Sequence, residues 1–335
     1  MLKRILVALT LLSLIPLSTL PANAAQSKAK IGIIYDVGGR GDNSINDATA
    51  VGVAAAKKKF NLSNLDVREL VTSGTSFDRE NRIEFLVKAK YDLVIGVGPT
   101  FNEAMTFMSE KYPESQFAIV ASAGVESINV SCMNFRGEQS AFLAGVMASL
   151  NSKSKKIGYL GDTANSSNEL ALLNFAAGAK YAVPKVKVLA RNSGNTSDTE
   201  VNYFSSQNAD VIFSTWSRNG TIINAITNAN SAKKSMKLIG IKPEQFYLSS
   251  KAANKVLIGY VNQRLDLAVL DLFAAALSGE SMTEIVDSKN GVFGKNYTVA
   301  NGGVELRATS ANQASISAVA RAKAAILAKK IAVVK

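Results

Sequence analysis

Short runs of β-branched and apolar residues alternate along the chain with longer segments of helical periodicity. In the first 134 residues the predicted strands cover 31–35, 65–70, 92–97 and 116–121, and the predicted helices cover 44–60, 78–89 and 100–111. Strands separated by helices form βαβ units and pair in parallel. The runs are almost continuously apolar, as expected for strands buried on both faces of a sheet. The first part of the chain is therefore predicted to be a doubly wound α/β unit.

The same alternation starts again after about residue 134. The second set of predicted strands covers 156–160, 186–189, 210–214, 237–240 and 256–261, with helices at 138–150, 167–181, 199–208, 219–230 and 265–277. Residues 291–306 are predicted to form a hairpin that turns at Gly302 and Gly303, and a last helix covers 312–332. No linker rich in Pro, Gly or Ser separates the halves, which favours two closely hinged α/β lobes.

The first 24 residues have the three-part pattern of a secretory signal peptide. Lys3 and Arg4 precede an apolar run from Ile5 to Leu20, and Ala22–Ala24 provides a small-x-small cleavage site. The apolar run is too short for a membrane-spanning helix and is interrupted by Pro16. No cysteine lies near the cleavage site. The pattern therefore predicts an exported, extracytoplasmic chain (periplasm or cell surface) without a lipid-attachment cysteine.

The chain has no histidine and a single cysteine, Cys132. This excludes histidine-dependent catalytic triads, zinc sites built from His and Cys clusters, and a disulfide within the chain. We expect no cofactor and no metal, and we expect Cys132 to be a small buried apolar residue. The formal charge is +12, but the lysines are spread in pairs and triplets without interleaved aromatic residues. The composition therefore does not predict a nucleic-acid partner.

Two loops at predicted strand ends are candidates for ligand binding, because ligands of open α/β sheets bind outside the carboxyl ends of the strands. In residues 36–47, glycines allow a tight turn, Asp36 can accept ligand hydrogen bonds, and Asp42 or Ser44 can cap the next helix. The alternative is an ordinary strand–turn–helix connection with no ligand. The loop at 214–221 carries the only tryptophan, Trp216, which suits stacking on a flat ligand or simply packing within the loop.

Five stretches of the chain form a recognisable series. They are DVGG followed by DNSIN within 36–46, YDLVIGVG at 91–98, FAIV at 117–120, FRGEQSAFLAGVM at 135–147 and ADVIF at 209–213. In the same order they resemble the DVGG…SFN, YDLIIGVG, FAIID, F…QGAFLAGVLA and GADVIF stretches of the basic membrane protein family. That family comprises substrate-binding proteins of ABC transporters and includes the purine nucleoside receptors.

The resemblance implies an α/β type I periplasmic-binding-protein fold, with two doubly wound parallel-sheet lobes joined by a three-strand hinge. We place the crossings near 132–135, 258–261 and 287–293. The predicted division is a signal peptide at 1–24, a first lobe at 29–133 plus 259–286, and a second lobe at 134–258 plus 287–335. The ligand is expected in the cleft between the lobes.

Four positions depart from the nucleoside-binding members. Ile45 replaces the phenylalanine that forms one side of a purine sandwich, and Ala121 replaces an aspartate. Lys242 stands where the family has the acidic residue for the ribose hydroxyls, and Gln263 replaces a lysine. A lysine in place of a carboxylate favours an anionic or acceptor-rich ligand over a diol. The candidate ligand-binding residues are Asp36, Asp42, Asn43, Ser44, Asn46, Trp216, Asn219, Lys242, Gln245 and Gln263.

The resemblance implies a solute-binding receptor that captures a small polar ligand (nucleoside-like, a nucleobase or a related anion) and delivers it to an ABC permease. We expect a monomer without enzymatic activity. One alternative on the same scaffold is a ligand sensor that feeds a membrane signalling protein. A transcription regulator would need a helix-turn-helix where the signal peptide lies, and an exported hydrolase would use an acid pair such as Asp36 with Asp42.

Overall fold

The computed structural model describes residues 29–42, 44–162, 167–215, 219–232, 235–242, 251–279, 286–287 and 292–334. The strands are β1 (Ile31–Tyr35), β2 (Val67–Val71), β3 (Leu93–Val97), β4 (Gln116–Val120), β5 (Val130–Phe135), β6 (Lys156–Asp162), β7 (Lys187–Ser193), β8 (Val211–Ser214), β9 (Lys237–Lys242), β10 (Leu257–Gln263), β11 (Val286–Asp287), β12 (Val292–Tyr297) and β13 (Val304–Ala308).

The helices are α1 (Ile45–Lys59), α2 (Ser76–Lys88), α3 (Asn102–Lys111), α4 (Gly137–Asn151), α5 (Ser167–Ala182), α6 (Ser197–Ser206), α7 (Asn219–Ser231), α8 (Lys251–Val256), α9 (Leu265–Ser278) and α10 (Gln313–Leu327). A short 3₁₀ turn, Pro99–Phe101, precedes α3. In the described part of the chain, no helix combines the length and the apolar character that a bilayer span requires.

The strands form two sheets, one for each lobe. The spatial order is β11-β12-β5-β4-β3-β1-β2 in the first sheet and β13-β10-β9-β8-β6-β7 in the second. Neighbouring strands pair in parallel except β11 with β12 and β10 with β13. β1 and β3 are buried along their whole length, which explains their unbroken apolar sequence. The predicted α/β class with two doubly wound parallel lobes is confirmed.

The predicted hairpin at 291–306 is wrong. Its two halves are strands, but β12 pairs in parallel with β5 in the first sheet, and β13 pairs antiparallel with β10 in the second. The glycine-containing turn therefore carries the chain from one lobe to the other, with Gly302 at φ 72°. The strand pattern and the turn residues are local properties of the sequence, whereas the choice of partner strand is decided by distant segments.

Within the described ranges, the chain crosses between the sheets three times, after Phe135, around Arg264 and between Tyr297 and Val304. This differs from the predicted lobe boundaries, because β10 lies in the second sheet throughout and β12 lies in the first. The crossings run side by side. The N–H of Arg136 donates to the carbonyl of Tyr297 at 2.8 Å, and the N–H of Arg264 donates to the carbonyl of Gly303 at 2.9 Å.

Helices that begin at the crossings pack into the lobe cores. α9 lies against α1 in the first lobe, where residues of both helices share one apolar cluster. In the second lobe α4 and α5 approach closely, because a Cβ on Gly145 would lie 2.0 Å from the carbonyl oxygen of Phe175. Such a contact excludes any side chain at that position. Cys132 in β5 is fully buried, as predicted.

Candidate functional site

The carboxyl ends of the parallel strands in both sheets point toward the crossings. β5 and β10 each run in parallel with the main strands of their sheet and each ends at a crossing. The strand ends of the two lobes therefore face each other across the three crossings. This is the position at which open α/β sheets bind ligands.

Asp36 follows β1 at this edge, and two side chains from other segments hold its carboxylate. Arg79 of α2 donates from Nη2 to Oδ1 at 2.8 Å, and Thr100 donates from Oγ1 to Oδ2 at 2.9 Å. The guanidinium carbon of Arg79 lies 5.5 Å from the ring centre of Phe101, within the range of a cation–π contact. Neither partner was predicted from the sequence, although Thr100 is the first polar side chain after β3 and the strand-end rule could have found it.

These partners control the charge of Asp36. Burial opposes ionisation, but hydrogen bonds from Arg79, Thr100 and the N–H of Val37 outweigh it, so the pKa of Asp36 lies below its ordinary value. At neutral pH the carboxylate is ionised and Arg79 balances its charge. The Asp36 side chain keeps 22% of its exposure, and each carboxylate oxygen has a second lone pair for a further donor.

Asn46 and Asp42 hold the loop that follows β1. The buried Asn46 accepts the N–H of Asp36 on Oδ1 at 3.1 Å and donates from Nδ2 to the Asp36 carbonyl at 3.2 Å. The Asp42 carboxylate accepts N–H groups of Ser44, Asn46 and Asp47 at 2.8, 3.1 and 3.1 Å. Of the two predicted capping residues, Asp42 makes the bonds and the Ser44 side chain makes none. Both Asn46 and Asp42 therefore position the loop.

Two of the positions that depart from the nucleoside-binding pattern lie on the first-lobe side. Ile45 begins α1 and packs against the apolar core of the lobe. Ala121 follows β4 in a left-handed backbone conformation, with φ 62°. An aspartate adopts this conformation more readily than an alanine, because its short polar side chain can bond locally. Beside it, Ser122 donates from Oγ to Oδ1 of Asn102 at 2.7 Å.

On the second-lobe side, a polar network connects the ends of β6 and β8. The Tyr159 hydroxyl donates to the carbonyl of Asn168 at 3.1 Å and lies 3.1 Å from Oγ1 of Thr215. Thr215 donates to Oδ1 of Asn168 at 3.2 Å. Burial raises the pKa of Tyr159 to about 12, so its hydroxyl keeps its proton at neutral pH. Thr215 immediately precedes Trp216, and the network was not predicted from the sequence.

The ends of β9 and β10 bring two predicted positions to one place. Lys242 is the register partner of Asn262, which precedes Gln263. The next residue, Arg264, binds both carboxylate oxygens of Asp266, at 2.8 and 2.7 Å. The Arg264 guanidinium is thus paired with a carboxylate two residues away at the same crossing. Gln263 presents a neutral amide at the end of β10.

The described residues do not include Asn43, Trp216 and Gln245, and they give only the backbone of Asn219 and Lys242. Asn219 begins α7, the helix that follows β8. The placement of these five predicted site residues as ligand contacts stays a prediction, as it does for the others.

Residues 28–313 match the model of the Bmp family, the PnrA-like ABC transporter substrate-binding proteins. The chain belongs to the Bmp family. The ABC transporter nucleoside-binding protein BmpA of Lactococcus lactis is 26% identical over 324 residues, covering 91% of this chain and 88% of that protein. An uncharacterized lipoprotein of Pyrococcus abyssi is 32% identical over 189 residues, covering 52% of this chain and 45% of that protein.

A solved structure agrees in fold. The Bmp-family chain superposes on an ABC transporter solute-binding protein of Aeropyrum pernix with a TM-score of 0.74 at 18% identity, covering 91% of this chain and 92% of the other. The resemblance inferred from the sequence motifs is therefore confirmed. As a Bmp-family member, the chain is an extracytoplasmic substrate-binding protein that binds a small molecule and works with an ABC permease.

Proposed function

We propose that this protein captures a nucleoside-like ligand, a nucleobase or a related anion between its lobes and delivers it to an ABC permease. The observation that carries the proposal is the convergence of polar strand ends from both sheets on the three crossings. Asp36 with Arg79 and Thr100 lies on one side. Tyr159 with Thr215 lies on the other.

The charge of the site argues for a ligand rich in hydrogen-bond acceptors. Arg79 balances the charge of Asp36. Lys242 and Gln263 end adjacent strands. The motif resemblance implies that Lys242 stands where nucleoside-binding members have an acidic residue. A lysine in place of a carboxylate favours an anion or a heterocycle with exposed acceptors over the diol of a ribose. The name of the Lactococcus lactis relative supports a nucleoside-like ring.

Closure of the lobes supplies the mechanism of capture. Rotation at the crossings brings the two sets of strand ends together, and a ligand that bonds to both favours the closed form. Polar groups that water satisfied in the open form then pair with the ligand. The permease is expected to recognise the closed, liganded form, in which the two lobes have a fixed relative position.

The test is a thermal-shift screen of residues 25–335 against nucleosides, nucleobases, sugars, amino acids and small organic anions, with hits measured by calorimetry. A ligand at 100 times its Kd raises the free energy of unfolding by about 2.7 kcal/mol. For a hit, Lys242→Gln should weaken binding at least about tenfold, whereas Lys111→Gln in α3 should leave it unchanged. A hit confined to amino acids, or equal effects of the two substitutions, would contradict the proposal.

Three further properties are part of the proposal. We expect a monomer, no nucleic-acid partner and no turnover of the bound ligand. Light scattering, a mobility-shift assay and product analysis after prolonged incubation test them in turn. The relative from Pyrococcus abyssi is named a lipoprotein. The only cysteine of this sequence is Cys132, so retention at the cell surface by other means is expected here.

A further inference from the structure

Eight lysines gather along the edge of the second sheet that faces away from the crossings. We call this surface the lysine pole, and its members are Lys153, Lys155, Lys156, Lys180, Lys185, Lys187, Lys237 and Lys255. Lys156 and Lys187 begin β6 and β7 and are register partners, and Lys237 begins β9. The Lys237 ammonium donates to the carbonyl of Lys255, at the end of α8, at 2.7 Å.

Backbone hydrogen bonds make the lysine pole one continuous surface. The N–H of Lys187 donates to the carbonyl of Lys155 at 2.8 Å, and the N–H of Lys237 donates to the carbonyl of Asp210 at 2.8 Å. Asp210 in turn donates to the carbonyl of Lys156 at 3.2 Å. The surface crosses β7, β6, β8, β9 and β10. Four strand spacings give it a width of about 19 Å.

Acidic residues of the second lobe lie mostly at the opposite edge. Among the described residues, Asp210 is the carboxylate at the lysine pole. It accepts hydrogen bonds from Ser152 Oγ at 2.6 Å and from the N–H groups of Lys153 and Ser154 at 2.8 and 2.9 Å. The carboxylates in the first turns of α4, α5 and α6 are at the end of the lobe near the crossings. In the second lobe, the lysines of the pole and most of the carboxylates thus lie at opposite ends.

The lysines of the first lobe are in a different environment. Lys57 forms an ion pair with Glu69, and both Lys88 and Lys111 pair with Glu84. Within the described residues, no lysine of the pole forms an ion pair. Among the described residues, the lysine pole thus holds eight lysines beside a single carboxylate, that of Asp210.

We propose that the lysine pole binds the surface of an anionic phospholipid membrane and keeps the protein beside its permease. The partner of the family is a membrane permease, so a membrane surface is always close. Lysines are compact charges on flexible stems, which suits a field of headgroups better than a single shaped phosphate. Tyr181, next to Lys180, is 55% exposed, and tyrosine side chains favour the headgroup region. This interaction is independent of the ligand proposed above.

The experiment is co-sedimentation of residues 25–335 with vesicles of phosphatidylglycerol and phosphatidylcholine (40:60) or phosphatidylcholine alone, in 50 and 500 mM NaCl. The pole variant carries Lys153→Gln, Lys155→Gln, Lys187→Gln and Lys255→Gln. The control variant carries Lys30→Gln, Lys58→Gln, Lys59→Gln and Lys90→Gln in the first lobe, which change the net charge equally. Lys155 and Lys90 share a left-handed backbone (φ 59° and 58°), so backbone strain is matched.

The unaltered protein should bind the anionic vesicles at low salt only. Each lysine near such a surface contributes about fivefold to partitioning, so the pole variant should bind at least about 100-fold more weakly. The control variant should stay within about fivefold. Equal losses in both variants would overturn the proposal, and so would binding to a duplex DNA probe without binding to vesicles. Unfolding temperatures of both variants identify any loss that is due to misfolding.

Discussion

The ion pair between Asp36 and Arg79 should stabilise the first lobe, and Arg79→Met tests this. The Arg79 side chain is 11% exposed and that of Asp36 is 22% exposed. Removing one partner of a fully buried pair costs about 3–5 kcal/mol, and an exposed pair contributes about 0–1 kcal/mol. The intermediate burial places the expected loss near 2 kcal/mol. For a chain of this size, with an unfolding entropy of about 0.65 kcal/mol/K, that loss lowers the Tm by about 3 °C.

A double-mutant cycle separates the pair from other effects of the substitution. Asp36→Asn removes the charge that Arg79 faces, and the double variant should lose at least about 1 kcal/mol less than the sum of the two single losses. Arg82→Met is the matched control. It is three residues further along α2 and pairs with Asp78 at a side-chain exposure of 35%, so its loss should be about 0.5 kcal/mol or less.

Acid provides a second readout for the same pair. The pKa of Asp36 is lower in the folded protein than in the unfolded chain, where it is about 3.9. The ionised carboxylate therefore contributes fully to the free energy of unfolding above that pH, and this contribution is lost as the pH falls below it. The difference in Tm between the unaltered protein and Arg79→Met should therefore be full at pH 7 and smaller at pH 3. An additive cycle, or a loss no greater than that of Arg82→Met, would refute the reasoning.

Three further predictions follow from the described residues. Ala121→Gly should raise the free energy of unfolding in urea by about 0.5–1 kcal/mol, because it removes an alanine from a left-handed backbone conformation. Ala54→Gly, at an exposed position of α1, should lower it by about 1 kcal/mol. Cys132 should react with a thiol reagent only after denaturation, because it is fully buried and its pKa is raised by burial. The Tm should fall between about pH 5 and pH 2, because Asp78 and Glu84 have folded pKa values of about 2, below their unfolded values of about 4.

The sequence predicts the elements of this fold well because the information is local. The apolar runs of β1 and β3 are buried on both faces, and the segment predicted as a helix at 44–60 is α1. The hairpin was wrong because the pairing of β12 with β5 depends on a segment more than 150 residues earlier in the chain. β5 was predicted only as a hinge crossing near 132–135, and α8 was not predicted. The short α8 has too few residues to show a helical period.

The residues of the candidate site also differ in whether the local sequence predicts them. Asp36 at the end of a strand and Asp42 at the start of a helix can be recognised from their neighbours in the sequence. The partners of Asp36 cannot, because Arg79 is 43 residues away and Thr100 is 64 residues away. Arg79 lies near the start of α2 and looks like an ordinary surface residue in the sequence. Only the folded sheet brings its guanidinium to the end of β1.

The three crossings also determine when each lobe can be completed during synthesis and secretion. The first lobe requires α9 and β12, which follow most of the second lobe in the chain. A nascent chain that ends after Phe135 would expose the face of α1 that α9 covers, where Gly52 lies against the backbone of Asp266. The amino-terminal lobe therefore cannot finish folding first. Its completion waits until residues 265–297, which include α9 and β12, have been made.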